Sequence, residues 1–142
     1  MFFLGASERV NLKAKQVLEA KYKVRVVGFA SPRVDVSNLD ELTPVVERIK
    51  TLRPQLVLVA LGAPKQEYVM AHFAKALAPS TLLGIGATLD FIAGEVRRAP
   101  ELVSRVGLEW LYRLIQEPKR LAHRYLVRDR AIAKIFLRML LQ

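Results

Sequence analysis

Leu56-Val-Leu-Val-Ala-Leu-Gly-Ala-Pro-Lys-Gln-Glu67 decides how this chain folds. From Leu56 to Leu61 the run is apolar without alternation, which is how a strand reads when helices cover both faces of a parallel sheet. Gly62-Ala-Pro64 then turns the chain into a helix, with Pro64 near its first turn, where a missing N–H costs nothing and φ is already set.

The same strand-then-helix grammar recurs on both sides of this stretch. Phe2 to Leu4 is an apolar run closed by Gly5, and Ser7 caps a helix whose apolar positions Val10, Ala14, Val17 and Leu18 recur at helical spacing. Val24 to Phe29 is a second, mostly β-branched run. After a loop holding Pro32, Ser37 or Asn38 opens a helix through Leu42, Val45, Val46, Ile49 and Leu52, which Pro54 closes. Thr81 to Ile85 repeats the strand pattern. Strands alternating with helices in this way predict an α/β fold: a Rossmann-like parallel sheet of about four strands with flanking helices and right-handed crossovers.

From Pro100 the chain reads as helix without strand, forming a C-terminal helical appendage. Leu102, Val106, Leu108, Trp110, Leu111 and Leu114 supply its apolar side before Pro118 interrupts. A last helix places Leu121, Tyr125, Ile132, Ile135, Phe136 and Met139 on one arc, with Arg130, Lys134 and Arg138 roughly opposite. The expected organisation is therefore a Rossmann-like half over residues 1–99 and a basic amphipathic appendage over 100–142.

At 142 residues and 52% hydrophobic, the chain is long enough to bury one core. It has no cysteine, which excludes disulfides, thiolate catalysis and cysteine-ligated metal. His72 and His123 stand apart, so neither a metal nor another cofactor is expected. Lys and Arg number 23 against 13 Asp and Glu, a net charge of +10. Residues 97–142 hold eleven of those bases and four of the acids, so most of the excess sits in the last third. Such a tail favours phosphates, anionic lipid surfaces or nucleic acid. No motif for reading nucleic acid accompanies it, and nucleic acid is not expected as a partner. No apolar stretch approaches the ~20 residues of a membrane span, and Met1-Phe-Phe-Leu-Gly5 lacks the basic start of an export signal.

Ligands of open parallel sheets sit beyond the carboxyl ends of the strands. Those ends are Gly5-Ala-Ser7, Gly28-Phe-Ala-Ser31, Gly62-Ala-Pro-Lys-Gln-Glu67 and Gly86-Ala-Thr-Leu-Asp90. Glycine admits a ligand close to the backbone, and it also simply eases a strand-to-helix turn. Gln66 offers a donor and an acceptor to a sugar or nucleoside edge. Glu67 either joins it or caps the helix, and Lys65 either meets a phosphate or stays solvated. Asp90 is the one acid between Leu82 and Ala93, so it either faces a cleft or caps the short helical turn Phe91-Ile-Ala93. Arg97, Arg98, Arg113, Lys119, Arg120, Arg124 and Arg128 form the cationic set, able to grip phosphate through paired donors or to remain solvated or salt-bridged.

Taken together, Gly62-Ala-Pro-Lys-Gln-Glu67, Gly84-Ile-Gly-Ala-Thr-Leu-Asp-Phe-Ile-Ala-Gly94, Arg97-Arg-Ala-Pro100 and Leu108-Glu-Trp-Leu-Tyr-Arg-Leu-Ile-Gln-Glu-Pro-Lys-Arg120 resemble the WecG/TagA/CpsF glycosyltransferase family. The resemblance implies metal-independent, inverting transfer of a hexosyl unit, N-acetylmannosamine or a relative, from a UDP-sugar donor to a polyprenyl-diphosphate-linked sugar. The product would feed teichoic acid, enterobacterial common antigen or exopolysaccharide synthesis. It implies catalytic positions at Gln66, Asp90, Arg113 and Arg120. Gly62, Pro64, Lys65, Glu67, Gly86, Arg97, Arg98 and Arg124 are the corresponding candidates for substrate binding. It also implies a peripheral location on the inner face of the cytoplasmic membrane, with a homo-oligomer left open. The family carries a further region ahead of these motifs, with the carboxylate taken as general base. On that reading the chain begins inside the Rossmann-like half, and the alternative is a truncated, non-catalytic module that binds a UDP-sugar or a membrane.

Overall fold

Phe2–Gly5 (β1), Gly28–Ala30 (β2), Leu56–Ala60 (β3) and Thr81–Gly84 (β4) pair in parallel in the computed structural model, in the order β2-β1-β3-β4. Phe3 lies between Phe29 on β2 and Leu58 on β3, and Leu58 in turn pairs with Leu83. The helices are Glu8–Tyr22 (α1), Thr43–Leu52 (α2), Lys65–Phe73 (α3), Thr88–Ile92 (α4) and Glu109–Gln116 (α5). The structure describes residues 1–96, 100, 103, 105, 107–116 and 118, and the last helix expected over 121–139 lies outside them. The chain divides into two compact units, Met1–Val96 and Arg97–Gln142.

Successive residues of a strand point to opposite faces, and here each face has its own core. Phe2, Leu4, Val57 and Val59 pack with Val46, Ile49, Val69 and Phe73 of α2 and α3. Phe3, Leu58 and Ala60 pack with Val10, Ala14 and Leu89 of α1 and α4. Coverage on both faces is why β3 shows no polar alternation. Phe2 and Phe3 are fully buried on opposite faces, each burial being worth about 1.5–3 kcal/mol. At the β4 edge Leu82 joins the first core while Leu83 stays 50% exposed.

Local signals set most boundaries. Ser7 is the N-cap of α1, its hydroxyl accepting the Val10 N–H at 3.3 Å. The second strand, expected over 24–29, begins only at Gly28. Ahead of it the backbone is held otherwise: Val26 donates its N–H to the Glu19 carboxylate at 2.9 Å, and the Met1 amine donates to Arg25 O at 2.7 Å. The β-branched run is apolar because Val26 is buried, without being part of a ladder over its whole length. The helix expected to open at Ser37 or Asn38 starts instead as a 3₁₀ turn, Leu39–Leu42, and becomes α-helical at Thr43. Pro44 explains the break, since proline is accommodated only in a first turn, and Asn38 uses its amide on Glu41 rather than on a cap.

The end of the first unit is fastened to α1 by charge. Glu95 accepts from Lys13 at 2.6 Å and also pairs with Arg9. The Lys13 hydrogen bond, helped by the Arg9 charge, holds the Glu95 carboxyl below its ordinary value. A depressed folded-state pKa stabilises above the unfolded value and loses that effect as pH falls through the folded one. Glu95→Gln is therefore expected to lower stability modestly at pH 7 and not at all well below pH 4.5, with the gap shrinking in salt. Urea unfolding of both proteins at the two pH values checks this.

Candidate functional site

The strand order places a topological switch at β1. The chain leaves β1 through α1 toward β2 on one side, then crosses by α2 to β3 on the other. In open α/β sheets the crevice at the carboxyl ends flanking such a switch takes the ligand. The turn Gly5-Ala6-Ser7 borders it, with φ of +104° at Gly5 and +53° at Ala6, and the Ala6 N–H donates to Ala60 O of β3 at 3.0 Å.

Gln66 joins the next two turns. Its Oε1 accepts the Gly86 N–H at 3.0 Å, and its Nε2 donates to the Glu67 carboxylate at 2.9 Å. The lack of a side chain at Gly84 is what admits it, since a Cβ there would stand 3.0 Å from both Gln66 Nε2 and Met70 Cε. The turn after β3 (Gly62, Pro64) and the turn after β4 (Gly86) are thus tied by one amide at the first turn of α3. Glu67 does not cap that helix; Pro64 is its N-cap, without a side-chain cap, and while the Gln66 N–H donates to Gly62 O at 3.1 Å, those of Lys65 and Glu67 stay open to a ligand.

Lys65 is engaged elsewhere. Its ammonium donates to Val34 O at 2.8 Å and fastens the 31–38 loop onto the start of α3. In that loop Ser37 donates its N–H and hydroxyl to Asp35, and these bonds lower the Asp35 pKa, with smaller help from Lys65 and Arg33.

Asp90 sits within the first turn of α4, whose N-cap is Ala87, so the capping alternative for Asp90 fails. Its backbone carbonyl accepts from Glu95 and Val96. Asp90 is half-buried, and no hydrogen bond or ion pair holds its carboxylate among the described residues. Gly62, Pro64, Gln66, Glu67 and Gly86 therefore come together at the carboxyl edge of β3 and β4, with Asp90 one turn beyond Gly86. Arg113 lies on α5, in the second unit. Arg97, Arg98, Lys119, Arg120, Arg124 and Arg128 lie outside the described residues.

Asn11 went unnoticed in the sequence. It is fully buried on α1, donating to Gly5 O at 2.8 Å and to Ser31 Oγ at 3.0 Å. Only its contacts reveal it, because a lone Asn in a helix carries no periodic signal. A cleft of about 530 Å³ also opens at the opposite, amino edge of the sheet, lined by Met1, Arg25, Arg53 and Gln55 among others. Sheets of this topology place ligands at the other edge, so we assign it no chemistry. Among the described residues, no three His, Asp or Glu side chains gather to hold a metal ion, and no helix is long and apolar enough to cross a membrane.

The parallel sheet, the glycine-bordered carboxyl edge and the Gln66 tie are the setting in which the motifs of the sequence sit. Compared with known families, residues 1–142 match the glycosyl transferase WecG/TagA/CpsF family from end to end. A match over the whole chain, on a fold of the kind the motifs require, means that this protein belongs to the WecG/TagA/CpsF glycosyltransferase family.

Proposed function

We propose that the chain binds a UDP-sugar at the carboxyl edge of β3 and β4 and serves inverting transfer of an N-acetylmannosamine-like hexosyl unit. The acceptor is a polyprenyl-diphosphate-linked sugar of a cell-surface polysaccharide pathway, met at the inner face of the cytoplasmic membrane. In the reaction an acceptor hydroxyl oxygen attacks the anomeric carbon from the face opposite UDP. The bond from that carbon to the phosphate oxygen breaks, its electron pair leaves with UDP, and the hydroxyl proton passes to a base.

The observation that carries this reading is the family match joined to the geometry of Gln66. One amide, held by Gly86 N–H, retains a second N–H for a sugar or uracil oxygen beside the uncapped first turn of α3. Departure of UDP needs positive charge or oriented N–H groups. The first turn of α3 offers the latter, and Arg113, Arg120 and the other bases of residues 97–142 are our candidates for the former. The basic C-terminal third, together with the exposed Leu111 and Ile115 one turn apart on α5, suits a surface of anionic lipid.

Titration of the 142-residue chain with UDP, joined to a UDP-release assay with a lipid-diphosphate acceptor, tests the proposal. Saturable binding and acceptor-dependent release are expected. Gln66→Ala removes the tie and leaves the Gly86 N–H without its partner, so UDP affinity should fall about tenfold, the effect of one good hydrogen bond. Binding without release would reduce the function to donor capture. Binding that Gln66→Ala leaves unchanged would move the site away from α3.

A further inference from the structure

Asn11 is the one buried polar side chain among the described residues, and its Oδ1 is the one buried side-chain nitrogen or oxygen there without a hydrogen-bond partner. Its Nδ2 uses both N–H groups, on Gly5 O at 2.8 Å and on Ser31 Oγ at 3.0 Å. A position that served packing alone would carry a small apolar residue, as Ala14 does three residues on in the same helix, also fully buried. An amide here leaves an acceptor unsatisfied, and a buried polar group in that state calls for a reason.

The reason is visible in what the bonds connect. Ala6 N–H reaches Ala60 O of β3 at 3.0 Å. Gly5 O is tied through Asn11 to Ser31, at the head of the 31–38 loop. Val34 O, in the same loop, receives Lys65 at 2.8 Å, and Lys65 opens α3, the helix that follows β3. The bonds therefore run from β3 to the β1 turn, to the β2 loop and back to the helix after β3, closing a circuit around the switch point.

We propose that Asn11 is a positioning residue. With Lys65 at the far end of the circuit, it holds the turns after β1 and β2 as a preformed rim for the nucleotide part of the sugar donor. This rests on the reading of the carboxyl edge as the donor site. A preformed rim binds without ordering two loops at the moment of association, so losing it raises Kd.

Ser31→Ala is the gentlest test, because Ser31 is exposed and the change removes only the outer end of the tie. It should move the thermal midpoint by less than about 2 °C, as surface changes do in a chain of this size, while the Kd for UDP rises about threefold to tenfold. Asn11→Ala should weaken UDP binding further and speed amide exchange at Ala6 and Ser7. If Asn11→Ala does not fold, Ser31→Ala with the exchange measurement decides alone. Unchanged Kd for UDP in folded variants, with the parent chain binding normally, overturns the positioning role and leaves the donor site standing. A parent chain that does not bind UDP overturns both.

Discussion

Gly5→Ala should cost the chain a large part of its stability. A Cβ at Gly5 would stand 2.5 Å from Ala60 O, 2.7 Å from Ala60 C and 2.9 Å from Leu61 Cδ2. The first two are backbone atoms of β3 and cannot swing aside without breaking the β1–β3 ladder. The backbone at this residue has φ of +104°, where side chains other than hydrogen are strained whatever the space. Strain of about 1–3 kcal/mol and overpacking of about 1–3 kcal/mol add to about 2–6 kcal/mol, a large share of a typical domain's about 5–15 kcal/mol. At about 2–4 °C per kcal/mol the thermal midpoint should fall by roughly 5–20 °C. Gly86→Ala is the control: φ is +53° but nothing stands within 4 Å, so the loss should be only about 1–2 kcal/mol. Urea unfolding followed by circular dichroism reads both. Equal losses at the two positions would contradict the packing argument.

The second large effect falls on activity. Asp90→Asn should leave stability within about 0.5 kcal/mol, because the carboxylate has no partner among the described residues and the change is isosteric. Sugar transfer should nevertheless fall. If the carboxylate accepts a hydrogen bond from a substrate hydroxyl, the loss of charge costs about 1.5–3 kcal/mol, or roughly tenfold to a hundredfold in rate. A loss of about 10²–10⁴ with UDP affinity unchanged would mark Asp90 as the group that takes the proton. Transfer at the parent rate would remove Asp90 from the site. Steady-state UDP release and calorimetric UDP binding, made on the same preparations, separate these outcomes.

How much of this the sequence shows depends on whether a feature is repeated or single. The unbroken apolar run at β3, Gly62 after it and Ser7 ahead of α1 are local signals, and strand, turn and cap stand where they point. Val24–Val27 misleads because burial and β-branching look the same whether the backbone pairs in a ladder or is held by Glu19 and the Met1 amine. Pro44 carries the information that splits the 3₁₀ turn from α2, but only once the proline is weighed above the apolar period. The rim is partly legible. Gln66 and Asp90 stand out by type and position, whereas the partner that fixes Gln66 is a backbone N–H twenty residues away, as is the Ser31 hydroxyl from Asn11. Lys65 shows the same limit from the other side: its acceptor is the Val34 carbonyl, which every residue type possesses and no sequence can flag.

The carboxyl edge of β3 and β4 is proposed to receive a sugar nucleotide. Backbone amide resonances of the isotope-labelled chain, followed during titration with UDP, test this proposal most directly. Saturable shifts are expected at the turns around Gly62–Glu67 and Gly86–Asp90 and along the rim at Gly5–Ser7 and the 31–38 loop, with Arg25, Arg53 and Gln55 at the opposite edge unmoved. Saturable shifts centred on that opposite cleft, or none at any UDP concentration, would contradict it.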